Sequence, residues 1–187
     1  MNYFKYVIIL LSALLASRAE AQEFSVSTNA LDYLNLGTIN MEASMGVSRH
    51  WSINLDMRYN PFTFPGREGV ADQMQSRQRT VAFGGRYWPW HILSGWWLAG
   101  KAQYQEFNVG GLTEAETREG ERFGGGLTGG YTYMLSPHFN VEAGAGFWTG
   151  HEIYTVYACP ECGRKVDSGE KNFFLANDFI LGLVYVF

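Results

Sequence analysis

Phe179-Ile180-Leu181-Gly182-Leu183-Val184-Tyr185-Val186-Phe187 ends the chain, and its reading decides the fold. Side chains alternate faces along a β-strand, so Phe179, Leu181, Leu183, Tyr185 and Phe187 form an unbroken apolar stripe. Such a stripe faces either a soluble core or the acyl chains around a membrane-spanning sheet. A final strand that stops on an aromatic is the pattern expected where an outer-membrane barrel closes. On that reading Phe187 is the insertion signal.

The other end of the chain agrees. Residues 1–21 carry Lys5, an apolar run from Tyr6 to Leu15, and Ala19-Glu20-Ala21 before Gln22. A basic start, a short apolar run and an A-x-A site describe a secretory signal peptide. The run falls short of the roughly 20 residues of a membrane-spanning helix. Residues 22–187, about 166 of them, then form one domain. Gln22 rather than cysteine follows the cut, which argues against a lipoprotein anchor.

Of the 187 residues 47% are hydrophobic, 16% aromatic and only 17% charged, with 22 glycines and a net charge of −4. That balance, with no clustered basic stripe, argues against a nucleic-acid partner. It suits a sheet whose strands pack closely.

Period-two alternation recurs along the chain. A first strand is predicted from Phe24 to Leu31. In the second, Ile39, Met41, Ala43, Met45 and Val47 alternate with Asn40, Glu42, Ser44, Gly46 and Ser48. The third sets Ile53, Leu55, Met57 and Tyr59 against Asn54, Asp56, Arg58 and Asn60. Further strands are predicted from Arg79 to Trp88, Trp96 to Phe107, Phe123 to Tyr133 and Phe139 to Thr149. The C-terminal stretch is the eighth, an even number and the smallest usual count for a closed bacterial barrel.

The connections sort by length. Ser48 to His50, Pro89 to Gly95 and Ser136 to His138 are short; Pro61 to Gln78, Asn108 to Arg122 and Gly150 to Asn172 are long and polar. Short periplasmic turns and long external loops are the usual asymmetry of outer-membrane barrels. Asp32 to Thr38 departs from it by being short.

If the apolar face meets lipid, Glu42, Asp56, Arg58, Arg86, Lys101 and Glu142 meet in the lumen. An eight-stranded interior is just wide enough for side chains to fill. Unpaired, each buried charge would cost several kcal/mol, so three acids and three bases predict a mutually neutralising plug. Gly46, Gly84, Gly124, Gly126, Gly144 and Gly146 share that face and leave room for the long bases. The alternative is a narrow or gated pore.

Little in the sequence points to catalysis. Ser136, His138 and Glu142 lack the spacing that would orient a base toward a nucleophile, and no phosphate-binding loop is present. A lipid-modifying barrel enzyme is the least favoured class, and no cofactor is expected. His50, His91 and His138 sit in the short turns beside aromatics, as an interfacial girdle requires, rather than as a ligand set. Cys159-Pro160-Glu161-Cys162-Gly163 supplies at most half of a four-ligand zinc site. In an exported loop a disulfide is the preferred reading; free thiols or a metal half-site remain alternatives.

Thr28-Asn29-Ala30-Leu31, Asn35 to Glu42, Ser48 to Ile53, Arg86-Tyr87-Trp88-Pro89-Trp90 and Ser94-Gly95-Trp96-Trp97 together resemble the DUF3575 family of Bacteroidetes proteins, as does the ending in Phe187. The similarity covers essentially the whole mature chain. The resemblance implies an OmpA-like eight-stranded barrel in the bacterial outer membrane and brings no catalytic residues. It also implies an accessory role at the cell surface, with a surface or fimbrial protein as partner.

The expectation is therefore an all-β, antiparallel, up-and-down transmembrane barrel after a signal peptide. Outer-membrane lipid surrounds it and the barrel-assembly machinery inserts it. It acts as a structural or surface-interaction protein, with a small gated channel as the alternative.

Overall fold

The computed structural model describes residues 23–187; the predicted leader, residues 1–21, lies outside them. The nine strands are β1 (Phe24–Asn29), β2 (Ile39–Ser48), β3 (Trp51–Asn60), β4 (Thr63–Pro65), β5 (Gln73–Tyr87), β6 (Gly95–Gly110), β7 (Thr117–Met134), β8 (Phe139–Tyr157) and β9 (Lys165–Val186). One helical turn, α1 (Ala30–Leu34), follows β1. Neighbours in sequence pair antiparallel, except that β3 skips β4 to pair with β5 from Trp51↔Tyr87 to Asn60↔Gln78. β1 returns to β9 from Ser25↔Val186 to Asn29↔Gly182. Eight strands thus form a closed up-and-down ring, and β4 is an appendage on the outer end of β5.

The alternation turns the ring inside out relative to a soluble sheet. Phe179, Leu181, Leu183, Tyr185 and Phe187 are 53%, 46%, 48%, 38% and 68% exposed. Ile39, Met41, Leu55, Met57, Phe83, Leu98 and Leu127 are exposed on the same outer face. The inner face buries Asn40, Ser44, Ser52, Asn54, Thr80, Arg86, Gln103, Thr128, Thr132, Asn140, Glu142 and Asp178. The apolar band ends abruptly at both rims. Toward the long loops, the row Val81, Tyr104, Phe123 gives way one step on to Arg79, Glu106, Glu121. Toward the short turns it ends in aromatic pairs, Trp51–Tyr87 at 5.1 Å, Trp96–Tyr131 at 5.2 Å and Phe139–Tyr185 at 5.1 Å between ring centroids.

Three sequence expectations need correction. The first strand stops at Asn29, not Leu31, because the Asn29 side chain accepts the Leu31 N–H and caps α1. Among the described residues there are nine strands, eight of them the expected ring, the three-residue β4 being an extra one within a stretch read as loop. The long links are largely strand: Gln73 to Gln78, Asn108 to Gly110, Thr117 to Arg122, Gly150 to Tyr157 and Lys165 to Asn172 continue their ladders. Most of these extensions are polar on both faces and so lack the apolar alternation from which strands were read; Gly150 to Tyr157, with Ile153, Tyr154, Val156 and Tyr157, is the exception. β5 to β9 run 15, 16, 18, 19 and 22 residues, against 10 in β2 and β3. The apolar band covers only Phe123 to Tyr133 of β7, so one wall of the ring rises well past it.

The short-turn end is sealed by apolar packing that sequence reading did not foresee. Trp88, Ile92, Leu93 and Trp97 are buried together, with Ala99, Ile180 and Val186 against them. The link after β5 folds into the ring instead of crossing its rim. Trp88 donates from Nε1 to Ser52 Oγ at 3.0 Å, and Asn140 Nδ2 donates to the Leu93 carbonyl at 3.0 Å.

Glycine makes room for this plug. A Cβ on Gly130 would lie 2.4 Å from Trp97 Cζ2 and 2.5 Å from the Ala143 carbonyl oxygen. Gly130→Ala is therefore expected to destabilise by about 1–3 kcal/mol through overpacking. Gly85→Ala, whose Cβ would come no nearer than 3.5 Å to Ser52 O, should stay within about 0.5 kcal/mol. Urea unfolding of both variants checks the contrast.

Candidate functional site

Alternation along seven strands, plus α1, brings the charged side chains into the ring as two layers and a mouth. In the layer beside the apolar plug, Arg86 donates to Glu42 Oε1 and Glu142 Oε2, both at 2.7 Å. Asn54 Nδ2 adds a bond to Glu42 at 3.0 Å, and Thr132 Oγ1 one to Glu142 at 3.0 Å. The Arg86 guanidinium lies 4.3 Å from the centroid of Trp97, joining the charges to the plug.

The second layer lies closer to the long loops. Arg58 Nε is 2.9 Å from Asp56 and 3.4 Å from Asp32, and its Nη2 is 3.4 Å from Asp178. Lys101 Nζ reaches Asp178 at 2.7 Å, and Thr128 Oγ1 donates to the same carboxylate. Asp32 arrives from α1, which tucks under that rim. Burial raises its carboxyl above the ordinary value, while the Arg58 charge pulls it down.

The six predicted lumen residues thus fall inside the ring and divide between these layers. Arg86, Glu42 and Glu142 meet in one; Arg58, Asp56 and Lys101 stand in the other. Sequence reading missed Asp178, which links Arg58 to Lys101, and Asp32. It also missed a third group at the mouth, where Glu152, 1% exposed, faces Arg118, Arg122 and Lys171. Asp178 had a legible signal, since it shares the inner face with Ile180, Gly182 and Val184 one step before the terminal stripe. Asp32 had none.

Little empty space remains among these charges. Two voids against Arg58 and Arg86 hold about 40 and 30 Å³. Each is room for a water or two.

The remaining sequence candidates scatter. His50 Nδ1 bonds the Trp88 carbonyl at 2.8 Å and His138 Nδ1 the Val186 carbonyl at 3.0 Å. A carbonyl only accepts, so each Nδ1 carries a proton and ties a short turn to the neighbouring strand. Ser136 Oγ accepts the Phe139 N–H at 3.1 Å on that short-turn rim, while Glu142 lies inside the ring. The three do not converge. Cys159 and Cys162 form a disulfide at the tip between β8 and β9. Cys159, Pro160 and Glu161 line an open cleft of about 580 Å³ with Ala115 and residues 65–73, so the three long connections meet there. Phe187 packs its ring on Phe24 at 5.4 Å and Tyr185 at 4.9 Å, and its N–H donates to the Phe24 carbonyl.

No curated protein and no solved structure matches the chain. A family described as "Protein of unknown function (DUF3575)" matches over residues 6–187, which takes in every element of the ring and all of its interior charges. The chain belongs to the DUF3575 family.

Proposed function

We propose that this chain is an integral β-barrel of a bacterial outer membrane, delivered by a cleaved leader. In this role it is a structural or surface-interaction protein, not a conduit. The observation that carries the reading is the reversal of burial: an exposed apolar band bounded by an aromatic girdle, around a polar, charge-neutralised interior. In water that band would be a very large exposed apolar surface. In lipid it is solvated, and closure of the ring satisfies the backbone that a bilayer cannot. The height fits too, since Phe123 to Tyr133 is roughly 25 Å of tilted strand, the usual barrel band.

The filled interior supports a plug over a channel, and the tall wall with its joined loops is the part left for contact with a surface partner, a fimbrial subunit among the candidates. Phe187 would be read by the assembly machinery, with outer-membrane lipid as the final solvent. Fractionation of cells should place the processed protein in the outer membrane, released only by detergent; recovery as a dissolved periplasmic species overturns the proposal. The refolded protein in a planar bilayer should show no steady conductance. A sustained open level would replace the plug reading with the channel.

A further inference from the structure

β9 has an edge that the fold leaves open. From Lys165 to Leu175 it pairs with β8 on one side, Ala176 and Asn177 forming a bulge, while β1 takes the other side only from Gly182 to Val186. Just beyond β1, the Asn29 side chain donates to the Phe179 carbonyl and accepts the Leu181 N–H, both at 2.9 Å. Farther out, among the described residues, no backbone or side chain bonds the outer edge of Lys165 to Asn177. The opposite margin of the raised wall is closed, since β4 covers the end of β5. An unpaired strand edge is a template for another strand, and proteins usually blunt one this long.

On the concave face beside this edge the cations Lys171, Arg118 and Arg122 outnumber the acids Glu152 and Asp167. Lys171 stands opposite Glu152 in the register, and Arg118 and Arg122 bond the same carboxylate. Three cations share one acid. Arg118 and Lys171 also lie 4.0 and 5.7 Å from the Tyr154 ring centroid.

Three occupants can be weighed. The chain ahead of Phe24 enters at the opposite rim, where the Glu23 carbonyl accepts the Gly46 N–H. A second copy in the same membrane is related by a two-fold along the membrane normal. That operation crosses two strands at twice their tilt, roughly 80° for a typical barrel, so the edges cannot pair. Its own Lys171 and arginines would also repel. A partner strand with acidic side chains meets neither obstacle.

We propose that the outer edge of β9 between Lys165 and Asn177 receives an extended, acidic segment of a surface polypeptide as an added strand. Main-chain bonds would supply affinity, and the cations around Glu152 would select the partner's charge. The edge belongs to the ring itself; the exclusion of a second copy and the partner's place at the cell surface rest on the outer-membrane reading.

Amide hydrogen exchange on the full folded protein tests this in whichever medium, micelle or buffer, keeps it folded, so a failed fractionation does not decide it. The probes are acetyl-(Glu-Val)5-amide and acetyl-(Lys-Val)5-amide. Alternate amides of residues 165–177 should exchange quickly in the free protein and slow by about tenfold or more with the glutamate peptide. The lysine peptide should have little effect, and Lys171→Glu should weaken the glutamate peptide's effect. Equal protection by both peptides, protection by neither, or protection that grows with protein concentration alone would each overturn the proposal.

Discussion

Replacing Leu181 by arginine is expected to destabilise the protein in a phospholipid bilayer by about 2–4 kcal/mol, the depth-dependent penalty for a cation on the lipid face near mid-membrane. Leu181 lies within the outward stripe of β9 and is 46% exposed to whatever surrounds the ring. The substitution disturbs no interior contact, so its effect reports the identity of that solvent. In water the same change, from an exposed leucine to a long cation, would stay within about 0.5 kcal/mol. Ser168→Arg is the matched control, on the outer face of the same strand but beyond the apolar band. Guanidinium-induced unfolding in lipid vesicles should separate the two variants. Equal midpoints would remove the lipid from the account.

The same stripe explains why so much of the fold was legible. Where one face of a strand is apolar and the other polar, a one-residue slip exposes every side chain to the wrong side, so register is written in the alternation. Ile39 to Val47 and Trp51 to Tyr59 are such strands. Beyond the band that constraint lapses. Thr117-Arg118-Glu119-Gly120-Glu121-Arg122 is strand in the structure yet polar on both faces. His151 to Tyr157 did carry a second signal, being rich in aromatic and β-branched residues that suit a pleated surface.

The interior was legible only as far as the strands were. Glu42, Asp56, Arg58, Arg86, Lys101 and Glu142 lie within the alternating stretches, so parity placed them. Glu152 and Arg122 stand past the expected strand ends. Parity also put Trp88 on the Arg86 face, but no spacing rule shows that Ile92 and Leu93 turn inward after it. That depends on a turn in which Leu93 takes φ 60° and Gly95 φ 80°. Trp88-Pro89-Trp90 therefore read as interfacial aromatics, although Trp88 is wholly buried and Trp90 alone is 66% exposed.

Arg86→Met should have the largest effect of any single interior substitution. It leaves Glu42 and Glu142 facing each other without a cation, in a space where Glu142 is 3% exposed. Breaking a buried pair from one side costs about 3–5 kcal/mol, because the abandoned charge has no water to turn to. Arg86→Lys should recover only part of this, since one ammonium does not span two carboxylates as the planar guanidinium does. The triple variant Arg86→Met, Glu42→Gln, Glu142→Gln should recover most of it, and the coupling within that cycle measures the network. If the triple variant is no more stable than the single one, lost packing on Trp97 rather than charge explains the defect. Conductance divides the roles further. The Trp88, Ile92 and Leu93 plug lies below this layer and does not depend on its charge. Arg86→Met should therefore weaken the fold while the bilayer stays silent, and an open current in that variant would make Arg86 the gate of a channel.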